Sequence, residues 1–500
     1  MTAAQPPGSR PAVLAGAGSR GALRLAADRV LLTDAAGEAR TGRSLGDRTE
    51  ALGRGLTALG LSGRRVGLWY WNSVAAIEAH LAVEWIGATK VPVDPGAPTA
   101  EARAVFEAAA VDAVLTDAAH QDLPGAHLHD THQPLATSGP ARTGALEEIR
   151  VPADRTAVLY PRMTTAAGLF AVPISYRNWE AGIRNNVALY RSGTYGPGFD
   201  SDEVFVTAQQ LPHGTGLIGT FPFLHMGLPQ VLLQRFDADA FVEAVHRHKA
   251  TASFFVPGMV TRLADTLHRS GRTVVPPLRR LLYGGAPISA EEITQAHDRI
   301  GPVLVQLYGR FEGGWPLSVL SIEDHRRIAQ GDADLARSCG RPVAGTNLRI
   351  RPVPGQPPDH GELCVRGDTV VPGHADPDGW YALGDIGWLD DNGYLFLGGR
   401  LDGMINTGSY HVYPGEVEEA ITAAPGVKAT LVRGEPDPTW GQAVTAYVVP
   451  ADPDAASTLP TTLRPLLEQR LARYKLPKRI HLIPSLDAIP PHPDPQPPPG

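Results

Sequence analysis

Two long blocks of this chain alternate between helical and strand-like hydrophobic spacing, which leaves few architectures open. From about residue 45, "SLGDRTEALGRGLTALG" has helical spacing and runs into "RRVGLWYW", a strand. "VAAIEAHLAVEWIGA" then reads as a helix and "TKVPVDP" as a strand ending in a turn, and "AEARAVFEAAA" with "VDAVLTD" repeats the cycle. Such strand–helix–strand rhythm predicts a parallel sheet covered by helices. Residues 120–150 are loop-like and polar. A second block, from about 156 to 310, includes the helix "FDADAFVEAVHRHKA" and the strand-to-turn segment "TASFFVPGM".

From 340 to 400 the texture changes to short strands separated by Gly, Asp and Pro turns, as in "NLRIRPV", "GELCVRG" and "GYLFLGG". That pattern predicts a small barrel or meander. After Arg400 a compact unit follows, with "PGEVEEAITAAP" as a helix, "QAVTAYVVP" as a strand and "LRPLLEQRLARYK" as a helix. The last eleven residues contain seven prolines and predict a disordered or polyproline-like tail. The expected fold is α/β. A large N-terminal domain of helix-covered parallel sheets plus a small barrel fills 1–400, a smaller mobile α+β domain fills 401–490, and the tail fills 491–500.

Five hundred residues sustain two or three domains and at least one large core. With 45 basic and 52 acidic side chains the net charge is −7, which offers no nucleic-acid surface. The only cysteines, Cys339 and Cys364, exclude a disulfide framework and a cysteine-rich zinc site. No apolar run approaches the roughly 18 residues of a membrane span. The N-terminal stretch lacks a signal peptide's apolar core, so a cytoplasmic protein is expected.

Two motifs invite other readings. "GAGSRG" at 16–21 fits G-x-G-x-x-G, and Asp34 follows at about the spacing of a ribose-binding acid. The strand before it is short and the alternation proper starts later, so a flexible leader before a hairpin is expected. "HLHDTH" places His127, His129, Asp130 and His132 close together, as zinc ligands can be. Its Pro- and Gly-containing setting favours a solvated loop.

The most specific string is "YALGDIGWLDDNGYLFLGGRLDGMINTGSYHVYPGEVEE", from Tyr381 onward. It resembles the adenylate-forming superfamily of acyl-CoA synthetases, aryl acid ligases, luciferases and carrier-protein adenylation domains. The resemblance runs in order from about residue 40 to 490, through "QQLPHGTGLIGTFPFLHMG", "VPGM", "LYGGAPIS", "LYGRFEGG" and "ARYKLPKRIHLIPSLDAIP". It implies two half-reactions. A carboxylate attacks the α-phosphate of ATP to give an acyl-adenylate, and then, after the small domain rotates, a thiol or amine attacks the acyl carbon.

By that resemblance Asp385 accepts from both ribose hydroxyls and Arg400 reaches the ribose and phosphate. Tyr308 lays its ring on adenine and Glu312 faces a magnesium ion. His213, Gly284, Gly285 and Gly309 line the acyl pocket, and Asp402 stands at the hinge. Thr164 and Thr165, with His213, are the candidates for the reacting centre. The implied ligands are an AMP moiety or acyl-adenylate, with ATP and Mg2+ for a complete ligase, and a small carboxylic acyl substrate. CoA or the phosphopantetheine of a carrier protein is a possible acceptor. For His213 the competing expectation is a satisfied core histidine.

The departures from the family pattern share one theme. The superfamily's phosphate loop reads Ser/Thr-Gly-Thr-Thr-Gly followed by Pro-Lys-Gly, with glycine amides around the phosphates and a lysine for charge. In "LYPRMTTAAGLFAVPISYRN" Thr164 and Thr165 remain, but Met163 and Ala166 or Ala167 replace the glycines. The lysine position holds Leu169 or Phe170. Phe311 stands for a threonine that meets the α-phosphate, Leu383 for the threonine before Gly-Asp, and Asn406 for a basic position after the hinge. The Gly-Lys near the C-terminus is Pro495 and Gln496. Groups that grip phosphate are lost while those for ribose, adenine and acyl group persist. Each such electrostatic donor is worth on the order of 10²–10³ in rate.

Three readings follow. The first is a repurposed enzyme that transfers or condenses an acyl group activated elsewhere. The second is an ordinary acid–thiol or acid–amine ligase whose missing charge comes from Arg162, Arg310 or Lys475. The third is a non-catalytic partner of a carrier protein or paralogous ligase. Because "LPHGTGL" lacks an aspartate for an α-amine, a plain carboxylic acyl group is expected.

Overall fold

The computed structural model describes residues 12–489 apart from 118, 120–125, 129–144, 166–167, 215, 287, 333, 354–357, 372, 374, 401–402, 409 and 453–458. Both alternating blocks become mainly parallel sheets. In the six-stranded sheet, Thr156–Thr165, Thr89–Pro92, Arg65–Trp69, Ala113–Thr116 and Ala126–Leu128 are parallel neighbours in that spatial order. Gly168–Ser175 folds back antiparallel on Thr156–Thr165 as its edge. The nine-stranded sheet has six parallel neighbours: Val30–Asp34, Gln230–Leu232, Phe205–Thr207, Ala252–Phe255, Arg280–Gly284 and Leu304–Arg310. Antiparallel Ala39–Thr41 closes one edge, and Gly314–Leu320 with Arg341–Pro342 the other.

The helix Val74–Trp85 is buried on every face, as its almost uninterrupted apolar sequence demands. It shares one core with Leu31 and Leu32 of the larger sheet and Val66 and Leu68 of the smaller. Ser73 starts it, its Oγ accepting from the Ala76 amide at 3.2 Å. The segment 347–400 is a four-stranded antiparallel meander in sequence order. The last unit is a five-stranded sheet in which Gly441–Pro450 pairs with Ile405–Thr407, Val427–Asp437 and Arg479–Leu482. The helices Pro414–Thr422 and Leu459–Glu468 cover it through Val417, Ile421, Leu463 and Leu467.

Local expectations need correction in four places. "GAGSRG" is no flexible leader: the helix Ala17–Leu25 begins at Gly16, with Ser19 and Arg20 buried. A Cβ on Gly16 would lie 2.2 Å from Trp85, the residue whose ring carries Arg20 and whose Nε1 donates to Ser19. Asp34 serves the hairpin turn, accepting from the amides of Ala36 and Glu38. After Phe255 the chain forms the helix Pro257–Ser270 instead of a turn, with proline in the first turn where its missing N–H costs nothing. The helix expected through "ARYK" ends at Glu468. The fourth correction concerns "LYPRMTTAAGLF", where two long strands replace the expected strand and loop. His129, Asp130 and His132, the side chain of His127, and the proline-rich tail lie outside the described residues. Among the described residues no helix is long and apolar enough to cross a membrane.

Candidate active site

A cavity opens where the two parallel sheets meet the C-terminal unit. Asp94, Tyr160, Arg162, His213, Gly284, Gly285, Phe311 and Trp315 line it from one side, and Tyr410, His411, Tyr474 and Lys475 from the other. Gly284 is required by close approach, since a Cβ there would lie 2.3 Å from the Leu307 carbonyl oxygen. Gly309 is not among the lining residues and faces the Gly314 carbonyl.

The hairpin 156–175 supplies one wall. Its register pairs Gly168 with Thr165, Leu169 with Thr164 and Phe170 with Met163, so the ladder runs to the ends of both strands. It slips by one residue at Phe170/Ala171, leaving Arg162 as the extra residue of a bulge. Phe170, one of the two positions matching the lost lysine, meets the ring of Tyr413 edge-on at 5.3 Å. The side chains of Thr164 and Thr165 lie outside the described residues.

Arg162 carries its guanidinium over the Phe311 ring, 4.9 Å from the centroid, and its Nη2 is 3.7 Å from Glu312 Oε1. Its Nε and Nη2 are buried and make no hydrogen bond. Phe311 itself is buried against Tyr160 and Trp315, at centroid distances of 4.6 and 5.9 Å. Glu312 is held from the other side by Arg310, whose Nε is 3.6 Å from Oε2. Burial pushes the Glu312 carboxyl up, but Arg162 and Arg310 outweigh it and hold the group below the usual range. Glu312, expected to face magnesium, thus faces two guanidinium groups.

Tyr308 and Asp385 touch each other. The tyrosine hydroxyl donates to Asp385 Oδ2 at 2.7 Å, and Arg310 Nη1 donates to the Leu383 carbonyl at 2.7 Å. Arg310 Nη1 also lies 4.0 Å from Asp385 Oδ1. In the meander Arg400 stands across the ladder from Asp385. The Arg400 side chain, Asp402 and Gln496 lie outside the described residues.

His213 Nε2 lies 2.6 Å from Asp94 Oδ2. Burial raises the Asp94 carboxyl, but the bond to His213, its charge and the Gly96 amide bring it below the usual range. Tyr410 presents its ring edge-on to His213 at 5.0 Å and stacks on Tyr474 at 4.1 Å. Lys475 is buried and donates to Glu101 of the helix Thr99–Ala108 and to Glu416 of the helix Pro414–Thr422. One ammonium therefore joins the N-terminal sheet region to the C-terminal unit. Burial works against that charge, but Tyr474, Glu101 and Glu416 hold its pKa well above the ordinary lysine value. Of the site neighbours, Asp94, Glu101, Tyr410 and Tyr474 escaped sequence reasoning. Asp94 stands in the strand-ending "VPVDP", Glu101 in "AEARAVFEAAA", Tyr410 in the string from Tyr381 and Tyr474 in "ARYK", but nothing local marks any of them as a site residue.

Two parallel sheets, a meander bearing a buried aspartate and a small sheet domain closing over the cavity together define an adenylate-forming type of protein. The chain belongs to the AMP-binding enzyme family, whose profile matches residues 20–162 and 171–374; that of the AMP-binding enzyme C-terminal domain matches 416–490. The stretch between the first two matches, 163–170, includes the paired strand ends 163–165 and 168–170. Among curated relatives, 2-succinylbenzoate–CoA ligase from Bacillus licheniformis is 31% identical over 300 residues, covering 57% of this chain and 59% of that protein. Feruloyl-CoA synthase from Amycolatopsis sp is 36% identical over 296 residues, covering 56% and 57%. The matches thus span less than two thirds of these relatives. Among solved structures, the amide bond synthetase McbA from Marinactinospora thermotolerans is similar with a TM-score of 0.80 and 29% identity, over 95% of this chain and 97% of that one.

Proposed function

We propose that this chain transfers an acyl group already activated, as an adenylate or a thioester, to a nucleophile, with little ATP-driven activation of its own. The observation that carries this reading is the hairpin. Where a polyphosphate needs a loop of free amides and a lysine, strands 156–165 and 168–175 pair to their ends, and Leu169 and Phe170 occupy the candidate lysine positions. Asp385 and the partly buried Tyr308, which do not line the cavity, remain for the adenosine end, and His213 with Gly284 and Gly285, which do, for the acyl end. A magnesium ion at Glu312 does not fit surroundings in which Arg162 and Arg310 already balance the carboxylate.

In the transfer step the nucleophile's lone pair forms a bond to the acyl carbon. The bond from that carbon to the phosphate oxygen, or to sulfur, breaks, and the nucleophile's proton leaves to base or water. The acceptor class best supported is an amine, from the likeness to an amide bond synthetase along 95% of the chain. The same likeness favours a second reading, an ATP-dependent acid–amine ligase, while the likeness to CoA ligases keeps CoA or a carrier-bound thiol as the alternative acceptor. The deciding experiment mixes the purified protein with an amine and either ATP plus acid or a synthetic acyl-adenylate, and follows products by mass spectrometry. Amide from the adenylate alone supports the transfer reading; equal yield from ATP plus acid replaces it with the ligase.

A further inference from the structure

We infer that Arg162, laid on Phe311, is the phosphate-binding cation of this chain, and that with Arg310 and Glu312 it makes a site for one singly charged phosphodiester. The inference rests on the reading of the cavity as an adenylate pocket. It starts from an arginine with two buried nitrogens that make no hydrogen bond, one of them 3.7 Å from Glu312. Arg162 Nε and Nη2 are out of solvent without a hydrogen bond, while the side chain lines the cavity. Leaving such donors without a hydrogen bond in the ligand-free protein is costly, and a shift of the guanidinium toward an anion in the cavity would remove that cost.

The neighbouring groups limit how much negative charge the site takes. Glu312 lies between Arg162 and Arg310, at 3.7 and 3.6 Å, and Asp385 lies 4.0 Å from Arg310, so the two arginines and two carboxylates carry no net charge between them. Lys475 adds no free positive charge, being shared between Glu101 and Glu416. The disubstituted phosphate of an acyl-adenylate carries a single negative charge, as a phosphodiester does, and the forked donors of Arg162 can meet it. A triphosphate brings several and leaves most of them unpaired against a hairpin paired as strands, with no lysine at 169 or 170. The aromatic wall has a matching part. Phe311 offers its face to the Arg162 guanidinium and is itself fixed by Tyr160 and Trp315. The bulge aims the arginine at the cavity; the phenylalanine holds its plane.

The test is calorimetric binding of adenosine, the methyl phosphodiester of AMP, and ATP to the full chain and to Arg162→Gln and Arg162→Lys. The diester should bind the unmodified protein more tightly than adenosine does. Arg162→Gln should weaken diester binding roughly tenfold to a hundredfold and leave adenosine unchanged. Arg162→Lys, which keeps the charge beside Glu312 but loses the fork, should fall between. Unchanged diester affinity in Arg162→Gln overturns the inference, as does a parallel loss of adenosine binding. If the unmodified protein binds neither adenosine nor diester, the adenylate pocket falls with it. Rapid turnover of ATP plus acid would instead overturn the transfer reading and leave the role of Arg162 standing.

Discussion

Tyr308 donates its hydroxyl to Asp385 at 2.7 Å, so two residues expected to meet adenine and ribose separately are coupled in one hydrogen bond. Burial, the Asp385 charge and this bond all push the tyrosine hydroxyl well above its usual pKa. Tyr308→Phe keeps the ring and removes the donor, leaving a buried carboxylate one bond short. It should cost about 1.5–3 kcal/mol in urea unfolding. A change below about 0.5 kcal/mol would mean that other groups satisfy Asp385 without the tyrosine.

His213→Ala should weaken binding of an acyl-sulfamoyl-adenosine a few-fold to about tenfold, the worth of one hydrogen bond. Because His213 is also the partner of Asp94, the melting temperature should fall as well. Unchanged affinity with that lower melting temperature would mark the histidine as internal support for Asp94.

Lys475 bridges two carboxylates from opposite sides of the closed cavity. Lys475→Met leaves Glu101 and Glu416 buried without it, a loss of about 3–5 kcal/mol. The C-terminal unit should then come away, and limited proteolysis should cut faster between 400 and 410. If cleavage there is unaltered and the whole chain unfolds together, the lysine belongs to one cooperative unit and 401–490 is no separate mobile domain.

Glu180 sets a pH dependence. Burial and the neighbouring Glu84 raise its carboxyl to about 7, against the attraction of Lys90 and Arg184. A raised pKa means that the folded state holds the proton longer than the unfolded one. This stabilisation is complete below about 4.5 and is lost as pH rises through 7, by roughly 3 kcal/mol in all. Glu180→Gln should remove that slope, so its stability relative to the parent should rise between pH 5 and pH 8. Parallel pH profiles of the two proteins would contradict the assignment.

Acid-dependent exchange of pyrophosphate into ATP should be weak, and Gln496→Lys alone should not restore it, because prolines flank that position and 156–165 and 168–175 are paired as strands. AMP should bind at least as tightly as ATP. Rapid exchange by the unmodified chain would establish the ordinary ligase, and full rescue by the single lysine would show that the hairpin still receives polyphosphate.

The fold was legible because its signals are periodic. The helix Val74–Trp85 and the strands Arg65–Trp69 and Thr89–Pro92 stand where spacing put them, since burial enforces the pattern residue by residue. The Pro257 helix was misread because the same proline can end a strand or open a helix. Ordered strings located Asp385, Tyr308 and Glu312, yet their partners were invisible. Nothing in "YGRFEGG" says that Arg162, some 150 residues earlier, faces Glu312. Long-range pairing of charges comes from sheet order, which local spacing does not encode.

The bulge at Arg162 has a consequence for how this pocket can change. Side chains on a strand alternate between its two faces, so one residue more or fewer reverses which of them look inward. The electrostatic character of the cavity is therefore set by the number of residues in a hairpin as much as by their identity. Deleting Arg162, the one residue between Pro161 and Met163, would remove the bulge together with the guanidinium. No point substitution would return a phosphate loop, since freeing the amides requires breaking the ladder. The route back runs through insertions and deletions.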